Sequence, residues 1–336
     1  MVLDFYNQPK KYYEGFESFC YQNCLKLILD AAKISYAPLY TNASLSMIID
    51  IKDKTDEIVF GQNENARTLL PPYSDQVKRY YYDSDADPKE IFTQNIRTIN
   101  LSGNPIVVGV DVFYLPYTPY YHKNHAIHTQ LLCGFEAAQE CVYITDWYEP
   151  WFFNGTIPKS EFLRARNSDS PYDGSIYSGT PILNNWAEIQ TEGLNASPEE
   201  LLKLNLELTL KQYFSSDASM GLEALKTLRV CLSSNVRSLA AFKKLHDDLY
   251  IAIKRHRLLK QYLEIFHEYS SHIDVSSEIV LLNADIEVWD TILMLALKAS
   301  MIDSALTRNK LVSNLNIIIE KETNLHELFK QLCKSL

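Results

Sequence analysis

The sequence predicts an α+β protein in which a mixed N-terminal part is followed by a C-terminal bundle of α-helices. The first 196 of the 336 residues hold nine of the ten glycines, twelve of the thirteen prolines and eighteen of the 22 tyrosines. After Pro198, Gly221 is the single remaining residue of the two helix-breaking types, while apolar residues recur at helical spacing. We therefore predict a mixed domain over residues 1–196 and a helical domain over residues 197–336.

The composition argues against several classes of function. A formal net charge of −10 gives the chain no overall attraction for nucleic acid. The phosphate-binding motifs G-x-G-x-x-G and G-x-x-x-x-G-K do not occur in the sequence. No apolar run is long enough to span a membrane, and no secretory signal is visible. We predict a cytoplasmic protein that has no membrane partner and whose six cysteines are reduced.

The first long helix is expected to begin close to Cys20, in the segment SFCYQNCLKLIL. If Ser18 caps this helix, Cys20 lies in its first turn, where backbone N–H groups and the helix dipole favour a thiolate. A thiolate at a helix start is the usual form of a nucleophilic cysteine, although a buried structural role is commoner for a single cysteine. Cys24, one turn further on, fits the structural role better.

Three strands are predicted in the N-terminal domain, over residues 105–115, 128–135 and 141–147. His128 opens the second strand and Asp146 lies at the end of the third, at equal distances from the connection at 136–140. Antiparallel pairing would place the two side chains opposite each other. With Cys20 they would supply the nucleophile, the base and the orienting carboxylate of acyl transfer, whereas a polar pair facing solvent is the alternative.

The helical domain begins at Ser197-Pro198-Glu199-Glu200, which has the pattern of a serine cap, a first-turn proline and a capping box. Further helices are predicted over residues 219–233, 236–270, 276–300 and 303–334.

The order of Cys20, His128 and Asp146 resembles that of papain-like cysteine enzymes, and more closely that of double-glycine bacteriocin-processing peptidases. The chain is most similar to the family of butirosin biosynthesis protein H, over roughly residues 12–170. The matching features are the cysteine helix, VDVFYLPY at 110–117, His125-x-x-His128 before a strand, Asp146, Gly155-x-Ile157 and Ala165-Arg166.

This resemblance implies a papain-like fold used for synthesis in thiotemplated, nonribosomal antibiotic pathways. The enzyme would take an acyl group, such as an aminoacyl group, from the phosphopantetheine thioester of an acyl or peptidyl carrier protein onto Cys20. It would then transfer the group to a small-molecule amine or to a second carrier-bound amine, with His128 as base and Asp146 orienting it. No bound cofactor is implied. The glutamine that papain-like peptidases place six residues before the cysteine is Glu14 here, which weakens a plain peptidase interpretation.

Four further residues are candidates for contacting the substrate: Asp111, Tyr114, Tyr117 and His125. Asp111 interrupts an apolar strand and is either a ligand for a substrate amine or a satisfied structural carboxylate. The aromatic run around Tyr114 and Tyr117 is either an acyl channel or an ordinary loop. The three-residue spacing of His122, His125 and His128 would face one side only on a helix, so we expect no metal site.

The densest basic run of the helical domain contains Lys254, Arg255 and Arg257. Carrier proteins are usually acidic, so an acidic enzyme needs a local basic patch, and this run is the candidate docking site. A solvated helix face is the alternative. Two other functions remain open from the sequence: a cytoplasmic cysteine peptidase or amidase with the same triad, and a non-catalytic protein whose helices bind a partner.

Overall fold

A computed structural model of the chain describes residues 2–13, 15–16, 19–52, 57–61, 69–175, 177–234, 238–302 and 304–336. The fold is α+β and divides into two compact units. The first unit holds Met1–Thr41 and Pro71–Asn195, and the second holds Asn42–Leu70 and Ala196–Leu336. The boundary between residues 195 and 196 lies beside the predicted one, but residues 42–70 belong with the C-terminal helices and not with the mixed domain. Within the described ranges, no helix is long and apolar enough to cross a membrane.

The strands of the described residues are β1 (Ile48–Lys52), β2 (Glu57–Gly61), β3 (Val77–Tyr80), β4 (Ile106–Asp111), β5 (Ile127–Glu136), β6 (Cys141–Asp146), β7 (Phe153–Pro158) and β8 (Trp186–Ile189). The α-helices are α1 (Asp4–Asn7), α2 (Cys20–Ala31), α3 (Pro88–Ser102), α4 (Lys159–Arg166), α5 (Pro198–Gln212), α6 (Gly221–Ser234), α7 (Leu239–Tyr269), α8 (Ser276–Met301) and α9 (Ala305–Ser335). Short 3₁₀ helices cover Ala37–Tyr40, Tyr73–Gln76 and Val112–Tyr114.

A six-stranded antiparallel sheet in the order β3-β8-β4-β5-β6-β7 forms the core of the first unit. The central strands β4 to β6 are mostly buried, as expected of strands that are covered by other elements. Helix α2 packs against β5 and β4, and α3 and α4 also pack against strands of the sheet. The side chains from Gln22 to Leu29 of α2 are all buried, so this helix is enclosed on every side.

The predicted pairing of His128 with Asp146 is wrong in register. A β-bulge in β5 shifts the β5–β6 pairing, and beyond it Leu131 faces Thr145. Continuing that register places Asp146 level with Gln130, two residues from His128. Residues two apart on a strand share a face of the sheet, so His128 and Asp146 are diagonal neighbours within side-chain reach. The misregister arises because the turn is centred between residues 138 and 139, where Glu136 pairs with Cys141, and not at 137. Without the bulge, Asp146 would lie level with Leu131, and the one inserted residue moves it level with Gln130.

The second unit contains the C-terminal helices α5 to α9. Helix α5 begins at the predicted position, and the bounds of α6 to α9 lie within three residues of the predicted ones. The capping box at the start of α5 is present: the Ser197 hydroxyl accepts a hydrogen bond from the Glu200 N–H, and the Glu200 carboxylate accepts one from the Ser197 N–H. The β1–β2 hairpin completes the unit and packs against α6 and α7.

The interior of the second unit holds a cluster of ionisable side chains. Glu322 Oε1 accepts hydrogen bonds from His256 Nε2 at 2.7 Å and from Tyr213 and Trp289 at 3.2 Å. The other His256 ring nitrogen lies 3.0 Å from a backbone carbonyl oxygen of its own helix. Burial lowers the pKa of His256, but the charge of Glu322 and the hydrogen bond to it raise that pKa above its ordinary value. Asp285 is also fully buried, and its carboxylate oxygens have no hydrogen-bond partner among the described residues.

Candidate active site

Cys20 is the first residue of α2, and Phe19 precedes it at the N-cap position. The predicted cap, Ser18, lies outside the described residues. The first backbone N–H groups of a helix have no partner within it, so they are available to a group bound beside the thiol. Cys20 remains partly exposed, whereas Cys24 is buried and its sulfur lies 3.6 Å from the carbonyl oxygen of Thr129. Of the two cysteines, Cys20 is the accessible one.

His128 and Asp146 form a buried hydrogen-bonded pair. The His128 Nε2 atom lies 2.9 Å from Asp146 Oδ2 and 3.0 Å from Oδ1. The two residues expose 5% and 3% of their surfaces. Because Asp146 occupies Nε2, the other ring nitrogen, Nδ1, is the one left to interact with Cys20. The structure therefore brings the three sequence-predicted residues together in one site.

The thiol of Cys20 and the imidazole of His128 shift each other's pKa. Burial raises the pKa of Cys20, but the positive charge of His128 and hydrogen bonding to His128 and Thr129 lower that pKa to about 7. Burial lowers the pKa of His128, but the negative charges of Asp146 and then of Cys20 raise that pKa to about 10. Between these values the pair is a thiolate and an imidazolium, which is the nucleophilic form.

Cys24 has the opposite electrostatic environment. Burial, followed by the negative charges of Cys20 and Asp146, raises the pKa of the Cys24 thiol well above its ordinary value. The thiol therefore stays protonated near neutral pH and acts as a small apolar side chain.

The Asp146 carboxylate accepts two further hydrogen bonds. Tyr117 Oη donates to Oδ2 at 2.8 Å, and Trp151 Nε1 donates to the same oxygen at 3.0 Å. The side-chain amide of Gln130 also meets the Tyr117 hydroxyl. The atom placed there is Gln130 Oε1, an acceptor, while Gln130 Nε2 has no hydrogen-bond partner among the described residues. Because Tyr117 has one hydroxyl proton, turning the Gln130 amide round satisfies both contacts: Nε2 donates to Tyr117, and Tyr117 donates to Asp146. Asp146 is thus held from three sides.

Two aromatic residues cover His128. The Tyr148 ring meets the imidazole edge-on with centroids 4.9 Å apart, and the Trp151 ring does so at 5.9 Å. Tyr148 and Trp151 also stack on each other at 5.0 Å. A role for Tyr148 and Trp151 in the site was not predicted from the sequence. The available signal was the aromatic run WYEPWFF, which follows Asp146 directly.

Of the two alternatives for Asp111, the structural carboxylate is the one the structure supports, and the prediction that it binds a substrate amine is wrong. Its Oδ1 atom accepts hydrogen bonds from the N–H groups of Phe113 and Ala126, each at 3.1 Å. Its Oδ2 atom meets His125 Nδ1 at 2.7 Å and accepts a hydrogen bond from the Ser168 hydroxyl. Asp111 has no exposed surface, so it is a satisfied structural carboxylate.

His125, predicted to contact the substrate, is oriented by that same carboxylate. Its ring is stacked on Phe113, with centroids 4.2 Å apart. In the β4–β5 register, Val110 faces His128 and Asp111 faces Ile127, so Asp111 and His128 point to opposite faces of the sheet.

The two tyrosines of the aromatic run have different surroundings. The Tyr117 hydroxyl contacts Asp146 and Gln130, and the residue is partly exposed, so its role as a substrate contact stays a prediction. The described ring contacts of Tyr114 are edge-on contacts with Phe113, His122 and His125.

The predicted carrier-docking run is not an exposed basic patch. Lys254 and Arg255 are buried, with the Lys254 ammonium above the Tyr250 ring and an Arg255 guanidinium N–H donating to the Asn42 carbonyl. Arg257 is exposed, but it pairs with Asp290 at 2.7 Å. A surface that attracts an acidic partner needs exposed and uncompensated cations, and this run does not supply them.

No group of three or more His, Cys, Asp or Glu side chains among the described residues is arranged to hold a metal ion. The chain matches no protein-family model and no curated protein.

Proposed function

We propose that this protein is a cysteine-dependent acyltransferase that forms amide bonds from carrier-bound acyl groups. The observation that carries the proposal is the group formed by partly exposed Cys20, protonated His128 and the Asp146 carboxylate that contacts His128. Nucleophile, proton carrier and orienting carboxylate are the three parts that acyl transfer through a covalent intermediate needs. We also propose that the sheet and the nucleophile helix form a papain-like fold, as the sequence resemblance implies.

In the first step, the Cys20 thiolate attacks the thioester carbonyl carbon and a tetrahedral oxyanion forms. Backbone N–H groups at the start of α2, including that of Cys20, are the candidate donors to the oxyanion. The bond from that carbon to the phosphopantetheine sulfur breaks, and the departing sulfur takes the proton from His128. The product is an acyl thioester on Cys20.

In the second step, an amine attacks the acyl–Cys20 carbonyl. Neutral His128 accepts the amine proton as the amide bond forms, and the bond to the Cys20 sulfur breaks to restore the thiolate. Tyr148 and Trp151 lie against His128, and this cover supports aminolysis because it reduces the access of water to the base. The free cysteines are consistent with action in the cytoplasm, where we place the enzyme and its carrier.

Intact-protein mass spectrometry after mixing with an acylated carrier protein tests this proposal. We expect a mass increase equal to the acyl group, its loss on adding an amine, and no increase for Cys20→Ala. Cys24→Ala is the matched control and should still become acylated. If no adduct forms from any loaded carrier while unmodified peptides are cleaved, the protein is a peptidase or amidase.

A further inference from the structure

A stack of two aromatic rings lies beside the carboxylate of the site. Phe153 faces Asp146 directly in the β6–β7 pairing. The Phe153 ring is parallel to that of Tyr117, with an interplanar angle of 3° and centroids 3.9 Å apart. The hydroxyl at the far end of the Tyr117 ring donates to Asp146 Oδ2 at 2.8 Å. Tyr117 is thus fixed at two points, by its ring face and by its hydroxyl.

A glycine makes the position of this stack possible. Gly155 lies two residues after Phe153 on β7, so the two residues share a face of the sheet. A Cβ atom at Gly155 would lie 2.5 Å from Cζ and 2.8 Å from Cε2 of Phe153. The ring therefore lies over the glycine backbone, and a side chain at 155 would displace it. The close approach of the ring explains why this strand position holds glycine.

We propose that Tyr117 is a positioning residue for the Cys20 site and that Phe153 and Gly155 set its place. The inference rests on the proposed function, since it assigns a role within the same group of residues. The role is to keep the Asp146 carboxylate oriented toward His128 in a buried site. The hydroxyl of Tyr117 contacts Asp146, so the residue acts through Asp146.

The direction of the effect follows from the hydrogen bonds. Removing the Tyr117 hydroxyl takes one donor from the buried Asp146 carboxylate, which is then held less firmly against His128. A less firmly held carboxylate stabilises the His128 imidazolium less. A weaker imidazolium in turn stabilises the Cys20 thiolate less, so the thiol should titrate at higher pH. A tyrosine that merely fills space would leave this titration unchanged.

The test is the rate of Cys20 alkylation by iodoacetamide from about pH 5 to about pH 10, measured for Tyr117→Phe beside the wild-type protein. We expect the midpoint to rise by roughly half a pH unit or more and acyl transfer to slow about tenfold. Gly155→Ala should change both in the same direction. Tyr143→Phe is the matched control, because its ring packs on Tyr6 at 5.1 Å, and both quantities should stay unchanged.

Thermal unfolding and circular dichroism identify variants that fail to fold. If Gly155→Ala fails, Phe153→Leu replaces it, since leucine removes the stack without adding an atom at 155. An unchanged midpoint and transfer rate in folded Tyr117→Phe overturns the positioning role, even if Cys20→Ala abolishes transfer. A raised midpoint in a protein that accepts no acyl group supports the positioning role and overturns the proposed transferase function.

Discussion

Asn23 donates a hydrogen bond from its side-chain amide to the backbone carbonyl of Trp147, with the nitrogen and oxygen 2.7 Å apart. Asn23 lies in the first turn of α2, three residues after Cys20, and Trp147 directly follows Asp146. The bond therefore ties the helix that carries the nucleophile to the end of the strand that carries the carboxylate. Apolar packing sets the general position of α2, and this bond fixes its N-terminal end.

Replacing Asn23 with alanine is expected to lower the free energy of unfolding by about 1–3 kcal/mol, because it leaves a backbone carbonyl without its donor. It should also slow Cys20 alkylation at neutral pH by loosening the helix start. Urea unfolding and the alkylation rate measure the two effects. Asn314→Ala is the control: it removes an exposed bond to its own helix and should change stability by less than about 0.5 kcal/mol. Equal losses in both variants would contradict the anchoring role.

The alkylation rate of Cys20 should rise through about pH 7 and then level off, because its thiolate forms around that value. An ordinary cysteine would continue to gain reactivity up to about pH 8.5. Mass spectrometry of iodoacetamide-treated protein over a pH series gives the profile. Cys20→Ala should remove the fast modification, while Cys24→Ala should keep the profile. Fast labelling of Cys24 would reverse the assignment of the two residues.

Asp146→Asn should raise the pKa of the Cys20 thiol, because a neutral amide no longer stabilises the His128 imidazolium. In the best-studied triad the equivalent change lowers turnover about 10⁴-fold, and a loss of several orders of magnitude is expected here. Single-turnover transfer from a loaded carrier measures this loss. His128→Ala should abolish transfer and return the thiol to an ordinary pKa. Retention of the low thiol pKa in either variant would mean that the helix start alone activates Cys20.

Asp285→Asn should change the pH dependence of stability. Burial, and then the negative charge of Glu322, raise the pKa of Asp285 to about 7 in the folded protein. Between about pH 4 and about pH 7, the folded state thus holds a proton that the unfolded state releases, so this group lowers stability as pH rises. The loss is at most about 1.4 kcal/mol per pH unit.

Urea unfolding of both proteins at several pH values measures the effect of Asp285, because the contributions of groups that do not interact with Asp285 cancel in the difference. The stability of Asp285→Asn relative to the wild type should increase from about pH 4 to about pH 7 and then stay constant. A difference that does not vary with pH would mean that Asp285 is ionised throughout this range.

The helices and the site residues could be predicted from the sequence because the patterns that indicate them are local. The cap at Ser197 and the apolar spacing after it predicted the helical region, and a cysteine at a helix start has a direct physical meaning. His128 and Asp146 were expected to meet because one short hairpin joins their strands. That expectation assumed regular pairing. The bulge in β5 leaves Asp146 level with Gln130, two residues from His128 on the same face of the sheet, so the side chains of His128 and Asp146 still meet.

The contacts of Tyr117 and of the basic run could not be predicted from local sequence patterns. Tyr117 follows a short 3₁₀ helix, and its contact with Asp146 depends on where that segment meets β7, which no local pattern encodes. In the run from Lys254 to Arg257, charge suggested exposure. Buried cations that contact backbone carbonyls and aromatic rings have the same sequence pattern as exposed ones. The assignment of residues 42–70 to the second unit likewise depends on contacts between distant parts of the chain.

The membership of residues 42–70 in the second unit has a consequence for protein engineering. A truncation after residue 195 would remove α5 to α9 but keep the β1–β2 hairpin and the buried side chains of Leu45, Met47 and Ile49 that precede and form it. Without the helices that pack on the hairpin, those apolar side chains would be exposed to solvent and would promote aggregation. The first unit can be separated from the second only by removing both Asn42–Leu70 and Ala196–Leu336. A gene fusion or domain exchange with a single junction therefore cannot transfer either unit alone.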